Sequence, residues 1–397
     1  RKPESISYPD AVRKLRKLLA SSVKNRMISD VPLGAFLSGG VDSASIVGLM
    51  SRGSGEPPKT FTIGSSLKDF DERSRAKEVV SLNHTDHHEK VLDYEIFPKT
   101  MNTIMSFMDE PFADSSMIPT YLLSEFVKED VTVALTGDAG DELFAGYNKY
   151  LMSYYANKYK RVPQMIREGI ISKVVDILPI GNSLTRKIRK VVENADKNPI
   201  DRHRALMHMG VKEDEITELM TVDWTDESAL DFINALYDKH KSASALQRSL
   251  YTDLKIVLEG DMLVKVDRMS MLNSLETRIP MLSKDIIEFS MSVPDEYKLN
   301  GKHRKRILKD AMKPLLPDNF EKHPKSGFEV PVAQWMRDKM RDEIERVLNR
   351  DKIAEQGIFN PDYVERVKQE HFEGSQNRQA ELWVLYVFEK WYEREVA

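Results

Sequence analysis

Not one cysteine occurs among the 397 residues, which excludes disulfides, thiolate metal sites and a thiol nucleophile for this chain. A run of ~18 apolar residues is missing, and so is a charged-then-apolar leader segment, so no membrane span and no signal segment is expected. Neither sign of charge dominates: 63 acidic against 59 basic residues leave a formal -4, and nothing points to nucleic acid or an anionic membrane. Internal repeats, low-complexity tracts and a clear linker are also lacking. The chain starts at Arg1 rather than Met, from which we expect that an upstream domain or tag has been removed. What is present is enough chain for one large or two medium cores. A small molecule or a protein is the expected partner, and a reducing, cytoplasmic setting fits the absence of cysteine.

Residues 9–29 carry Val12, Leu15, Leu18, Leu19, Val23 and Met27 at helical spacing among Arg and Lys, the pattern of an amphipathic helix. Leu33–Leu37 is a short apolar run that ends in Ser38-Gly39-Gly40, and the sequence is helical again over 42–50. The order strand, loop, helix then recurs: a strand over 60–63 and a helix over 71–82, a strand over 88–92 and a helix through Phe107, a helix over 122–127 and a strand over 131–135. Buried apolar strands alternating with helices imply an α/β fold with a parallel sheet flanked by helices over residues 1–150. Beyond Tyr147 the strand pattern stops. Helices are expected over 151–178, 200–220, 226–239, 246–272, 302–313 and 362–394, making 151–397 a mainly helical part packed directly on the sheet.

The most informative stretch is Leu37-Ser38-Gly39-Gly40-Val41-Asp42-Ser43, at the carboxyl end of a strand and opening a helix, where open α/β sheets bind ligands. Two glycines let the backbone approach an anion, the helix start supplies positive potential, and Ser38 and Ser43 add hydroxyl donors. Pyrophosphate suits such a cradle. Asp42 would repel that anion unless a cation lay between them, which argues for Mg2+. Gly40 stands where a Walker A loop requires Lys, and Phe36 stands where a nucleophile elbow requires Gly. A plain helix-capping turn needs the same Ser-Gly-Gly, and only the surrounding strand, Asp and Ser separate the two readings.

A second loop, Thr136-Gly137-Asp138-Ala139-Gly140-Asp141-Glu142, places three carboxylates within five positions after an apolar strand. Such crowding is explained by a shared cation, or more plainly by an acidic helix start. Lys265, Asp267, Arg268, Glu276 and Arg278 form a third polar group, too charged for an inert core, and Asp267 and Glu276 are the candidates for the substrate side. His84, His87 and His88 have no matching ligand cluster, so zinc is discounted. The basic run 302–309 is too short, in an acidic chain, for a nucleic-acid patch.

Ser38-Gly39-Gly40-Val41-Asp42-Ser43 resembles the signature of the PP-loop ATP pyrophosphatases. The loop 136–147 is similar to that of the glutamine-hydrolysing asparagine synthetases, with Thr for Ser, Asp for Glu, and Ala and Gly exchanged. Further similarities are Phe61-Thr62-Ile63-Gly64, Phe70-Asp71-Glu72, Asp109–Ser116, 261–280, 301–309 and 325–331. The resemblance implies an ATP-dependent amide ligase that makes asparagine from aspartate and ammonia through β-aspartyl-AMP, with ATP and Mg2+ as cofactors. Leu37, Ser38, Gly39, Gly40, Asp42, Ser43, Ile63, Thr136 and Gly137 would then hold the nucleotide, Asp42 and Asp141 the metal, and Asp138 and Lys305 would be catalytic. It also implies a glutaminase domain or subunit as the ammonia source, that domain being absent from this chain, and allows a homodimer. A cyclase or amidotransferase acting on another carboxylate, or a non-catalytic nucleotide-binding module, are the alternatives.

Overall fold

The computed structural model describes all residues except 1–4, 66–70, 93, 168–182, 208–209, 223–227, 319, 321–330 and 397. Helix α1 (Tyr8–Arg26) opens on Ser7, whose hydroxyl accepts the Asp10 N–H at 3.3 Å, with Pro9 in the first turn where a missing N–H costs nothing. Its buried face is Ala11, Leu15, Leu19, Ser22 and Val23, the stripe its sequence spacing dictates, and it packs on the helix Arg306–Met312.

Strands β1 (Leu33–Phe36), β2 (Lys59–Ser65), β3 (Asp86–Leu92), β4 (Val133–Leu135) and β5 (Glu276–Arg278) form one parallel sheet in the order β3-β2-β1-β4-β5. Ala35 pairs with Thr60 on one side and Leu135 on the other, so β1 is central. Helices α2 (Val41–Gly53), α3 (Arg73–Asn83), α4 (Phe97–Phe107) and α5 (Met117–Lys128) connect the first four strands. One face is filled from α1, α2 and the 306–312 helix by Leu15, Ile46, Ile307 and Leu308. On the other, Phe61, Ile63 and Ala134 of the strands meet Leu123 and Val127 of α5. The inner strands β1, β2 and β4 are buried on both faces, as a parallel sheet requires, and the edge strands β3 and β5 are partly exposed. Beyond α6 (Gly140–Phe144) and α7 (Asn148–Tyr159) the chain is largely helical, and the helices from Val332 to Glu395 build a separate core with α4 and α5 around Tyr363, Val367 and Tyr386.

Six expectations change. The helix expected over 151–178 ends at Tyr159 ahead of Pro163, and the one expected over 200–220 is two helices, Pro199–Met207 and Glu213–Leu219, with Gly210 at φ +106° between them. Strands do not stop at Tyr147: β5 joins the sheet from the helical half, with the Glu276 N–H donating to Thr132 O at 3.0 Å and Thr136 N–H to Arg278 O at 2.9 Å. Three residues with two charges show no strand pattern of their own; pairing with β4 makes them a strand. The helix expected over 246–272 is α-helical over Ala245–Asp253, π-helical over Leu254–Met262 and α-helical again over Leu263–Met271. The helix expected over 362–394 breaks between Pro361–Phe372 and Gln379–Glu395, with Gly374 at φ +75° ending the first piece. The helix expected from residue 302 begins only at Arg306, because Lys305 sits in the left-handed region at φ 52°. Phe70, residues 325–330 and the stretch 168–178 of the helix expected over 151–178 lie outside the described residues.

Candidate active site

The order β2-β1-β4 means that the connections leaving β1 and β4 run to opposite sides of the sheet, which opens a crevice at their carboxyl ends. The loop after β1 is tied by its own polar groups. Leu37 N–H donates to Phe61 O at 2.9 Å, and the Thr62 hydroxyl donates to Leu37 O. The Ser43 hydroxyl accepts the Ser38 N–H at 3.2 Å, the Ser38 hydroxyl accepts the Gly40 N–H at 3.3 Å, and the two hydroxyls lie 3.1 Å apart. Gly39 has φ +70°, and a Cβ there would stand 2.6 Å from Arg75 Cβ, so the turn admits glycine alone. Gly40 caps α2 without a side chain, leaving the helix start facing the crevice.

The loop after β4 crosses in front of this helix start. Ala139 at φ 72° and Ala145 at φ 57° bracket the short α6, which presents Asp141. Lys305, only 4% exposed, reaches between the two loops: its ammonium pairs with Asp42 and lies 2.9 Å from Asp141 Oδ1. Burial works against its charge, but Asp141 and Asp42 outweigh that penalty and hold its pKa above the ordinary lysine value. The fit is close. A Cβ on Gly146 would lie 1.9 Å from Asp141 Oδ1 and 2.0 Å from Lys305 Cε, and one on Gly140 would lie 2.0 Å from Asp42 Oδ1. Beside them Glu142 is buried, which pushes its carboxyl up to about 7, and the Tyr147 hydroxyl donates to it at 2.6 Å.

The crevice is a cleft of about 950 Å3, and Leu37, Ser38, Gly39, Gly40, Asp42, Ser43, Ile63, Thr136, Gly137, Asp138, Asp141 and Lys305 all line it. Two expected residues do not. Asp267 is exposed on the helix Leu263–Met271, and Glu276 is exposed at the amino end of β5, the edge away from the loops, where it pairs with Arg278 at 2.6 Å. Arg268 turns outward as well, to Asp109 and Glu110.

Asp114, Asp261 and Lys265 line the cleft where Asp267 and Glu276 do not. Lys265 Nζ donates to Asp114 Oδ2 at 2.8 Å and to Ser116 Oγ at 2.7 Å. Burial lowers its pKa, but Asp114, Asp138 and Asp261 together hold it above the ordinary value. Helical periodicity was the available signal. Positions 261 and 265 are one turn apart on one face, whereas 267 points ~200° away from 265.

A parallel α/β sheet carries a glycine-bearing loop and a helix start at its switch point, faced by a lysine held between two carboxylates, and such a helix start offers free N–H groups to an oxyanion. The Asparagine synthase family model matches residues 14–393, and the chain belongs to that family. It is 28% identical over 392 residues to asparagine synthetase (glutamine-hydrolyzing) 1 of Bacillus subtilis (strain 168), covering 98% of this chain and 60% of that protein. It is 34% identical over 258 residues to putative asparagine synthetase (glutamine-hydrolyzing) 2 of Methanocaldococcus jannaschii, covering 65% of this chain and 48% of that one. A match of 23% over 394 residues, 90% of this chain and 58% of the other, is to Amidase chyE of Penicillium rubens. The chain thus spans about half to three fifths of the length of these relatives. Among the described residues no helix is long and apolar enough to cross a membrane.

Proposed function

We propose that this chain is an ATP-dependent amide-forming ligase that activates the side-chain carboxylate of aspartate as an acyl-adenylate, releases pyrophosphate, and passes the acyl group to ammonia. The observation that carries the reading is the placement of Lys305 between Asp42 and Asp141, opposite the phosphate-loop glycines. In the first step the carboxylate attacks the α-phosphorus, the bond to the β-phosphate oxygen breaks, and charge grows on the leaving pyrophosphate. A buried ammonium aimed at that charge stabilises it without reorganisation. The helix start after Gly40 binds the phosphates, and Leu37 and Ile63 flank the base. In the second step ammonia adds to the acyl carbon and AMP leaves. No covalent enzyme intermediate is needed, and positioning supplies much of the rate.

The donor set fits Mg2+. Asp42 and Asp141 offer hard carboxylate oxygens on the cleft wall, and among the described residues no group of three or more His, Cys, Asp or Glu is placed to hold a metal. Mg2+ characteristically takes one or two carboxylates and completes its shell with phosphate oxygens and water. When bound it supplies neutralisation of the phosphate charge.

On this reading 1–150 is the nucleotide part and 151–397 the mainly helical part that completes the substrate side, the whole working in the cytoplasm with a glutaminase domain or subunit, with a homodimer allowed. A second reading keeps the chemistry and changes the acid. Asp138, one methylene shorter than the family Glu, and the match to a protein named an amidase favour it. AMP and pyrophosphate release from ATP and Mg2+, with ammonium and a panel of carboxylic acids, separates the two. Aspartate-dependent AMP with asparagine as product is expected; AMP with another acid alone would replace aspartate, and no AMP with any acid would remove the ligase reading.

A further inference from the structure

Charge is not spread evenly along this chain. Residues 151–197 hold ten Lys or Arg against four Asp or Glu, which leaves 49 against 59 elsewhere, so the near-neutral total conceals one basic stretch. In its described part Lys158, Lys160, Arg161, Lys187, Lys190 and Lys197 are exposed, and none of them forms an ion pair with a described residue. Of the two acids described there, Asp196 pairs with Arg167, and Glu193 alone is left to offset the six cations.

These cations belong to one packed unit. The helix Ser183–Glu193 lies against α7, and the turn after it is tied to α7 by the buried Arg202, which donates to Asn157 Oδ1 at 2.6 Å, Ala195 O at 2.7 Å, Asn194 O at 2.8 Å and Lys197 O at 3.0 Å. Arg167 closes the other side. Its guanidinium lies over the Tyr159 ring at 5.6 Å, donates to Val162 O at 3.0 Å and pairs with Asp196. Lys187 and Lys190 share one face of their helix, a turn apart. Apolar side chains stand in water among the cations: Met165 is 87% exposed, its neighbour Ile166 43% and Ile188 37%. Exposed apolar groups flanked by unpaired cations suit a surface that offers both phosphate and hydrocarbon. The unit lies at the end of α7 away from the cleft-lining Tyr147, ~18 Å along the helix, so the cleft is not part of it.

We infer that this unit docks the chain peripherally on an anionic phospholipid surface, the lysines and Arg161 meeting lipid phosphates while Met165 and Ile166 enter the headgroup boundary. The chain lies on the bilayer and does not cross it. Each unpaired Lys or Arg near such a surface is worth about fivefold in partition, so a few of them suffice for reversible docking. A nucleic acid or an acidic polypeptide would take the same cations but leave Met165 and Ile166 in water.

The test sediments the whole chain with vesicles of phosphatidylcholine alone and with vesicles in which about one third of the lipid is phosphatidylglycerol, the component that sets the surface potential. Binding to the anionic vesicles should be ~tenfold stronger or more, and it should fall at least ~tenfold as salt rises from ~0.1 to ~0.5 M. The double variant Lys187→Glu, Lys190→Glu should lose ~tenfold or more of this binding. Met165→Gln, Ile166→Gln keeps the charge and should still lose ~threefold or more. All four positions are exposed and outside the cleft, so circular dichroism and the thermal midpoint should match the wild type, which separates lost docking from lost folding. Equal binding to both kinds of vesicle, or binding that survives the charge reversal, would overturn the inference. So would polyuridylate or polyglutamate held as tightly as the anionic vesicles by the wild type and the Gln variant alike, which would assign the face to a nucleic acid or to an acidic protein. No turnover is read, so either result is independent of the ligase reading above.

Discussion

Lys305 is the residue on which the site turns. Its left-handed backbone is held by the Phe144 carbonyl and its buried ammonium by Asp42 and Asp141. Lys305→Met should cut ATP–pyrophosphate exchange by ~10²–10³-fold, the range for removing one preorganised donor to developing charge. Calorimetric nucleotide binding should persist, which separates a catalytic loss from a collapsed cleft. Gly146 reaches the same ammonium without carrying a functional group. A Cβ placed 2.0 Å from Lys305 Cε must displace it, so Gly146→Ala should lower exchange by ~tenfold or more with a thermal-stability loss of only ~1–3 kcal/mol.

Lys298 tests burial alone. It is fully buried with no hydrogen-bond partner on Nζ, and burial brings its pKa down to about 8. The unfolded chain therefore holds a proton that the folded chain has released between about 8 and the ordinary lysine value of 10.5, so stability rises with pH through that window. Lys298→Met should stabilise the protein by about 3 kcal/mol at pH 7, each pH unit between the two values being worth about 1.4 kcal/mol. The gain should disappear above about pH 10.5 in chemical denaturation, and a gain independent of pH would show that the charge is not its cause.

At the scale of elements, the π-helical turn decides which side chains of a long helical run face the cleft. Each residue added or removed rotates the downstream part of the helix by ~100°. Gly260 lies in this turn with open space around it, so deleting it should return the segment to α-helix at little packing cost. Asp261 and Lys265 would then rotate relative to Asp253, whose buried carboxylate is fixed by Tyr150, His203 and Lys149. Acid-dependent exchange should fall at least ~tenfold while nucleotide binding by calorimetry stays within about threefold. Unchanged exchange would mean that the π geometry does not set the substrate side. Strand β5 is likewise shaped by its surroundings. Glu276-Thr277-Arg278 has no strand signal, and it becomes one because the exposed edge of β4 needs partners for its N–H and C=O groups.

For the whole molecule, the composition itself makes a prediction. With no cysteine in 397 residues the chain has no thiol to attack glutamine, so ammonium should support asparagine formation and glutamine alone should not. Added glutaminase should restore the glutamine-dependent reaction by supplying ammonia. Glutamine-dependent synthesis by the isolated chain would contradict the placement of that chemistry elsewhere.

The features legible in the amino-acid order are local and periodic. The buried stripe of α1, the apolar strands β1 and β2, and the two loops with their glycines and carboxylates could all be read from it, because propensity, period and turn chemistry act over a few residues. The strand–helix alternation put each loop after a strand, but that the two loops meet at one switch point follows from the strand order, which was not legible. It took the assembled fold to place Lys305 between Asp42 and Asp141, to bring β5 into the sheet, and to turn Asp261 and Lys265 rather than Asp267 and Glu276 toward the cleft. The physical reason is common to all three. A charged side chain can point to water or to a buried partner at similar local cost, and only the packing of distant segments settles which.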